Sequence, residues 1–200
     1  MIEHYFGQPF LQFKLNKNLI NKINKKMDEE ILKNNYTNAV PFLSGKIKKE
    51  YRINHFFNEQ EIAKDIFKNI VKYTEMYNFD TAFKLVEVIL DSAWINDQKE
   101  GEYQIVHKHS GRLSIGLSAI IFLKIPNFGK EYTHEEQPMN GRTTLISNSG
   151  GLFNKSNYTI NPSVGDMYVF PYDVQHVVYP FKGNGTRRSM SLNVDLYYKK

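Results

Sequence analysis

The chain has 200 residues, 41% of them hydrophobic and 24% charged, and a formal net charge of +5. That is enough for one domain with a sizeable core and too few for two independent ones. No apolar run approaches the ~20 residues that cross a bilayer, and the N-terminus lacks the basic start and apolar stretch of a signal peptide, so a cytoplasmic protein is expected (the host cytoplasm, if phage-encoded).

There is no cysteine, which excludes a disulfide framework and a thiolate metal site; any metal must rest on histidines and carboxylates. Much of the positive charge falls in Lys14 to Lys26 and Lys46-Ile-Lys48-Lys49, on segments that read as helix. A solvated helix face accounts for both better than a nucleic-acid patch does. The aromatic content of 14%, with 13 Tyr and 14 Phe, favours a β-rich core in which rings pack across strands.

In chain order, Leu19, Ile23, Met27 and Ile31 recur every fourth residue and predict an amphipathic helix. A second helix is predicted after Asn58, which would cap it with Glu61 as the partner of a capping box. Its buried face is Ile62, Ile66 and Ile70 beside Ala63, Phe67 and Val71, and Asn78-Phe-Asp80 would end it. From residue 81 the pattern turns to strands. Phe83 to Asn96, Tyr103 to His109, Leu113 to Ile125, Met167 to Phe170, Pro171 to Pro180 and Arg188 to Leu196 are the main ones. Gly150-Gly151 and Gly165-Asp166 read as turns. The polar segment from Pro126 to Gly141 has the length of a lid or binding loop. Roughly eight short strands without intervening helices predict a mainly β fold with N-terminal helices (α+β), of the jelly-roll kind. Residues 1–80 would form a mostly helical N-terminal layer and residues 81–200 the β core carrying the site, within a single domain 1–200.

Side chains two apart on a strand share a face. Tyr103, Ile105, His107 and His109 should therefore point one way, and His176 on another strand would complete three ligands on one side of a metal. The open positions left are those that an oxygen-activating Fe(II) site requires. On the last strand Arg187, Ser189, Ser191 and Asn193 share a polar face, while Arg188, Met190, Leu192, Val194 and Leu196 share a mostly apolar one. A guanidinium turned inward calls for an anion: a carboxylate held through two parallel hydrogen bonds, with Ser189 adding a third. The alternative is that Arg187 pairs with an internal acid, or that Arg188 is the inward residue. Trp94 reads as core, Asp173 as a turn residue, and His134-Glu-Glu136 as part of a solvated lid rather than a metal cluster.

Taken together, Trp94-Ile-Asn96, Gly101-Glu-Tyr103, His107-Lys-His109-Ser, Leu113-Ser114, Pro162-Ser-Val-Gly165-Asp166-Met-Tyr-Val-Phe170-Pro171, His176-Val-Val-Tyr-Pro180 and Arg187-x-Ser189-x-Ser191-x-Asn193 resemble the 2-oxoglutarate/Fe(II)-dependent oxygenases of bacteria and tailed marine phages. Leu43-Ser-Gly45-Lys-Ile-Lys-Lys-Glu50-Tyr51 resembles a segment of phage members, so the likeness extends over about residues 40–197. It implies a double-stranded β-helix (cupin-like) and iron held by His107, His109 and His176. It also implies 2-oxoglutarate and O2 as cosubstrates, with the far carboxylate of 2-oxoglutarate on Arg187 and Ser189. The reaction implied is hydroxylation of a C–H bond with release of succinate and CO2. Tyr103 and Asn96 could hydrogen-bond the cosubstrate, or satisfy each other in the core.

One departure stands out: His109 occupies the place of the superfamily's usual Asp or Glu, as in a His-x-His subgroup. Either His109 is a ligand, or it stands behind one and a carboxylate such as Asp173 reaches in. Two other readings of the same residues stay open. One is a cupin-like three-histidine dioxygenase whose substrate chelates the metal directly. The other is a non-catalytic jelly-roll binding or virion-associated module. The substrate, a small molecule or a peptidyl group, is not specified.

Overall fold

The computed structural model describes residues 8–38, 45–77, 84–129, 133–134, 137–147 and 156–199. Strand β1 (Leu11–Lys14) leads into helix α1 (Lys17–Leu32), which Asn16 caps by accepting a hydrogen bond from the Asn18 backbone amide at 2.8 Å. Leu19, Ile20, Ile23 and Met27 form its buried stripe, with Ile31 packed at the edge. Helix α2 (Gln60–Met76) buries Ile62, Ile66, Ile70 and Tyr73. Its cap differs from the expectation. A 3-10 turn (Asn54–Asn58) runs straight into the helix, so Asn58 belongs to that turn and Glu59 takes the cap position. The Glu59 side chain makes no capping bond and pairs instead with Lys22 and Lys26 on α1. Asn78-Phe-Asp80 lies outside the described residues.

The basic patches also sit differently. Lys14 is on β1 and bonds Asp166 at 2.8 Å, and Lys22 bonds Glu61 at 2.5 Å. The second patch is not helical: Lys46 ends strand β3 (Gly45–Lys46), and Lys48 and Lys49 precede strand β4 (Glu50–Arg52). No described helix is long and apolar enough to cross a membrane.

The remaining strands are β2 (Thr37–Asn38), β5 (Lys84–Gln98), β6 (Tyr103–His107), β7 (Gly116–Lys124), β8 (Thr133–His134), β9 (Gln137–Pro138), β10 (Thr143–Ile146), β11 (Asn157–Ile160), β12 (Asp166–Pro171), β13 (Gln175–Val178) and β14 (Arg187–Lys199). They form a seven-stranded sheet ordered β1-β12-β7-β14-β5-β4-β2 and a five-stranded sheet ordered β11-β10-β13-β6-β3, with β8 and β9 paired apart. The pairings within the two sheets are antiparallel. Together they make the double-stranded β-helix of a jelly roll. Residues before 80 are therefore more than a helical layer, because β1, β2 and β4 extend the larger sheet and β3 the smaller one.

Two apolar clusters follow from strand parity. Met190, Leu192 and Val194 of β14 meet Ile23, Ile62, Ile66 and Ile70 of the helices in one. Ile120, Phe122, Leu145, Ile160, Tyr168 and Phe170 fill the other. Arg188 shares the helix-facing side of β14. Its guanidinium holds Asp97 at 2.6 and 2.7 Å and reaches Asp28 of α1 at 2.6 Å, which locks the helix to the sheet. Gly165, at φ 88°, makes the expected turn into β12. Gly150-Gly151 is outside the described residues.

Candidate metal centre

The interior face of β14 and the facing strands of the smaller sheet build the site. On β13 His176 lies directly opposite His107 of β6, but two residues further along β13 Val178 lies opposite Gln104, three back on β6. One extra residue in β6 makes a bulge, which reverses the alternation along that strand. Gln104 and His107 consequently face the interior, while Tyr103 (39% exposed) and Ile105 (54% exposed) face outward. This corrects the inward placement of Tyr103 and removes it as a cosubstrate contact. It also corrects the position of His109, which lies beyond the end of β6 and is fixed by its backbone amide donating to Tyr172 O at 3.0 Å.

Even so, the three imidazoles converge. Their ring centroids stand 4.2 Å apart for His107 and His176, 4.8 Å for His109 and His176, and 5.4 Å for His107 and His109. One nitrogen of each lies within 4.8 Å of the others, so the three could hold a metal ion. Each Nδ1 contacts a protein oxygen. His107 meets Ile105 O at 2.7 Å, His109 meets Asn193 Oδ1 at 2.7 Å, and His176 meets Val174 O at 3.3 Å. Protonated Nδ1 donating to these oxygens leaves each Nε2 lone pair for a metal. Ser118 also donates to Asn193 Oδ1 at 2.8 Å, so the Asn193 amide is held in the orientation that accepts from His109.

Burial lowers the affinity of all three rings for a second proton: His107 is shifted down, His109 to about 4 and His176 well below its ordinary value, the last also because its histidine neighbours repel a positive charge. Neutral imidazoles are the ligating form. No carboxylate joins the cluster among the described residues, and Asp173 is an exposed turn residue that accepts from Gln8 at 2.6 Å.

Arg187 is the largest fully buried side chain, at 2% exposure. Nε donates to Gly141 O at 2.8 Å, Nη2 to Thr143 Oγ1 at 2.9 Å, and Nη1 to Gln98 Oε1 at 3.2 Å and Ser189 Oγ at 3.4 Å. All four acceptors are neutral. Burial alone brings its pKa down to about 10, and the guanidinium lies over the Phe122 ring at 5.0 Å. Among the described residues no internal acid satisfies Arg187, and Arg188 does not take the inward place. The cavity joining Arg187 to the imidazoles is narrowed to about 10 Å³, room for one small ion or water. A dicarboxylate would enter only as the neutral acceptors around Arg187 give way.

Asn96 is buried on the same interior face, and its Oδ1 has no hydrogen-bond partner among the described residues. A buried acceptor without a donor is costly and fits a ligand that supplies one. Trp94 is not a core residue as expected: half-buried, it lines the cavity and stacks on His109 at 5.4 Å. Gln98, Gln104 and Thr143 had no assigned place. Gln98 was reachable by extending the Trp94-Asn96 parity two residues; Gln104 was hidden by the bulge. In the Pro126–Gly141 segment, β8 pairs with β9, and Gly141 anchors Arg187 at its end. Glu135 and Glu136 fall outside the described residues, as does the His134 side chain.

A family model described as "Putative 2OG-Fe(II) oxygenase" matches residues 92–193, just over half of the chain, from within β5 to Asn193 of β14. No curated protein matches. Solved structures share the fold at low identity. A prolyl-4-hydroxylase of Pseudomonas putida superposes with a TM-score of 0.59 at 14% identity, covering 95% of this chain and 92% of its own. A viral collagen prolyl hydroxylase of Paramecium Bursaria Chlorella virus-1, solved with 2-oxoglutarate, gives 0.58 at 11%, with 94% and 97% covered. A prolyl hydroxylase of Trichoplax adhaerens, in complex with a hypoxia inducible factor peptide fragment, gives 0.63 at 14%, with 94% and 84% covered. Buried neutral imidazoles and an inward arginine without an anion suit iron and a dicarboxylate better than a cupin whose substrate alone chelates the metal, or a non-catalytic module. The chain belongs to the 2OG-Fe(II) oxygenase family.

Proposed function

We propose that His107, His109 and His176 hold Fe(II), that Arg187 with Ser189 binds the far carboxylate of 2-oxoglutarate, and that the enzyme hydroxylates a C–H bond of its substrate. The observation carrying this reading is Arg187, fully buried, facing the histidine cluster and, among the described residues, hydrogen-bonded only to neutral groups. When bound, iron and cosubstrate supply the oxidising chemistry: 2-oxoglutarate and O2 become succinate and CO2 as one oxygen atom enters a C–H bond.

The chain's own residues do the rest. The Nδ1 hydrogen bonds hold each ring with Nε2 toward the ion. Three neutral imidazoles leave the centre one unit more positive than two histidines and a carboxylate would, which favours an anionic cosubstrate. Thr143 and Ser189 flank the guanidinium and can each donate to the same carboxylate. Asn96 Oδ1, unpaired among the described residues, is placed to accept from a group bound beside the metal. The strands that residues 1–80 give to both sheets favour one functional unit over residues 1–200.

Calorimetric titration of 2-oxoglutarate into Mn(II)-loaded protein tests the assignment. Wild type should bind, and Arg187→Ala should lose about a hundredfold in affinity, the expected cost of removing one partner of a buried charge pair. Equal binding by both, or binding by neither, contradicts it.

A further inference from the structure

A second cavity, of about 440 Å³, opens beside the first and is lined by Glu50, Arg52, Ser92, Trp94, Ser110 and Asn193. Trp94 lines both cavities, and Asn193 is the residue that holds His109. This space is therefore next to the metal centre, where a substrate of the proposed reaction would lie. Its polar feature is Glu50. The residue is 5% exposed, and its Oε2 has no hydrogen-bond partner among the described residues. Strand register puts it opposite Asn96, whose buried Oδ1 is likewise unpartnered, and puts Arg52 opposite Trp94. Two buried side-chain oxygens without hydrogen-bond partners among the described residues thus stand on paired strand positions, each lining one of the two cavities.

A buried carboxyl group in this position destabilises the fold unless something pairs with it. Arg52, exposed at the rim, favours the ionised form only weakly: burial still pushes the Glu50 carboxyl up to about 8. The neighbouring groups of the protein therefore do not hold it ionised. A group bringing both a positive charge and N–H donors would, and the adjacent Trp94 ring would add a cation–π contact.

We propose that this cavity is the substrate pocket and that Glu50 receives a cationic nitrogen of the substrate, an ammonium or guanidinium carried close to the C–H bond that is oxidised. This rests on the metal site assigned above, and it makes the substrate a basic one.

Trp94 is the only tryptophan in the chain and lines both this pocket and the metal cavity, so its emission reports on both, and the Glu50 variant tells them apart. Protein loaded with Zn(II), which is redox-silent, would be titrated with n-butylammonium and n-butylguanidinium, and with the uncharged n-butanol and n-butylurea for comparison. The cations should change Trp94 emission saturably and the other two should not. Glu50→Gln, which keeps the shape, should weaken the cations by about tenfold or more, as loss of a charge-assisted hydrogen bond predicts. No saturable response to either cation, an equal response to n-butylurea, or an unchanged affinity in Glu50→Gln overturns the proposal. A 2-oxoglutarate titration of the same preparations reports separately on the metal site and on the folding of the variant. Cosubstrate binding without cation binding sinks only the basic substrate. Cation binding without cosubstrate binding sinks the oxygenase site and leaves a cation pocket.

Discussion

Each imidazole of the cluster commits Nδ1 to a protein oxygen, but only His109 relies on a side chain for it, the Asn193 amide. Asn193→Ala would free the ring that replaces the usual carboxylate while leaving the other two in place. Metal affinity, read by competition with a chelator, should fall by about 10- to 100-fold. An unchanged affinity would mean that His109 does not bind the metal. Titration gives a second, opposed pair of effects in the metal-free protein. The histidines have lowered pKa values, so below the unfolded value of about 6.5 the unfolded chain takes up protons that the native state refuses. Stability from them is thus lost as pH falls toward the value of about 4 held by His109. Glu50 works the other way. Its native pKa of about 8 exceeds the ordinary 4.5, so its contribution is full below pH 4.5 and is lost as pH rises through 8. Glu50→Gln should therefore raise the melting temperature of metal-free protein at pH 8 by about 5 °C and change it little at pH 4.5. An equal shift at both pH values would show that the carboxyl is not held protonated.

Strand parity decided how much of the site could be read from the residues alone. It succeeded on β14, where Ser189 to Asn193 pair with β5 and β7 without a register shift, so Arg187, Ser189, Ser191 and Asn193 all line the interior. It failed on β6, because a bulge formed without glycine leaves no mark in Gln104-Ile-Val-His107. Simple alternation consequently puts Tyr103 inside and misses Gln104. The helices were legible from their apolar stripes, but the α2 cap was not, since nothing in Asn54 to Asn58 announces a 3-10 turn merging into the helix. Ion pairs between distant segments, such as Arg188 with Asp97 and Asp28, are invisible to any local pattern. The bulge itself is testable. Deleting Val106 should leave Gln104 and His107 two residues apart, both still facing inward opposite Val178 and His176, as in a strand without the extra residue. The circular dichroism spectrum should stay β-rich and metal binding should persist; loss of metal binding in a variant that keeps that spectrum would mean that the extra residue is needed to position His107.

At the scale of the molecule, the helices brace the larger sheet from one side and leave its other face to the cavity, where polar residues stand that a core would otherwise exclude. Arg187, Asn96 and Glu50 are buried at evident cost, and they line the two neighbouring cavities on the interior side of the jelly roll. Such clustering of buried polar groups is the expected signature of a binding site rather than of a packing fault. The larger sheet, the bulged β6 and the Arg187 strand together make one claim: three histidines hold the iron and an arginine holds the cosubstrate. An anaerobic crystal structure of the protein with Fe(II) and 2-oxoglutarate tests it most directly. The account predicts Nε2 of His107, His109 and His176 each at about 2.1 Å from the metal, with the far carboxylate of 2-oxoglutarate on Arg187. A carboxylate side chain in the place of His109, or a cosubstrate that does not touch Arg187, would contradict it.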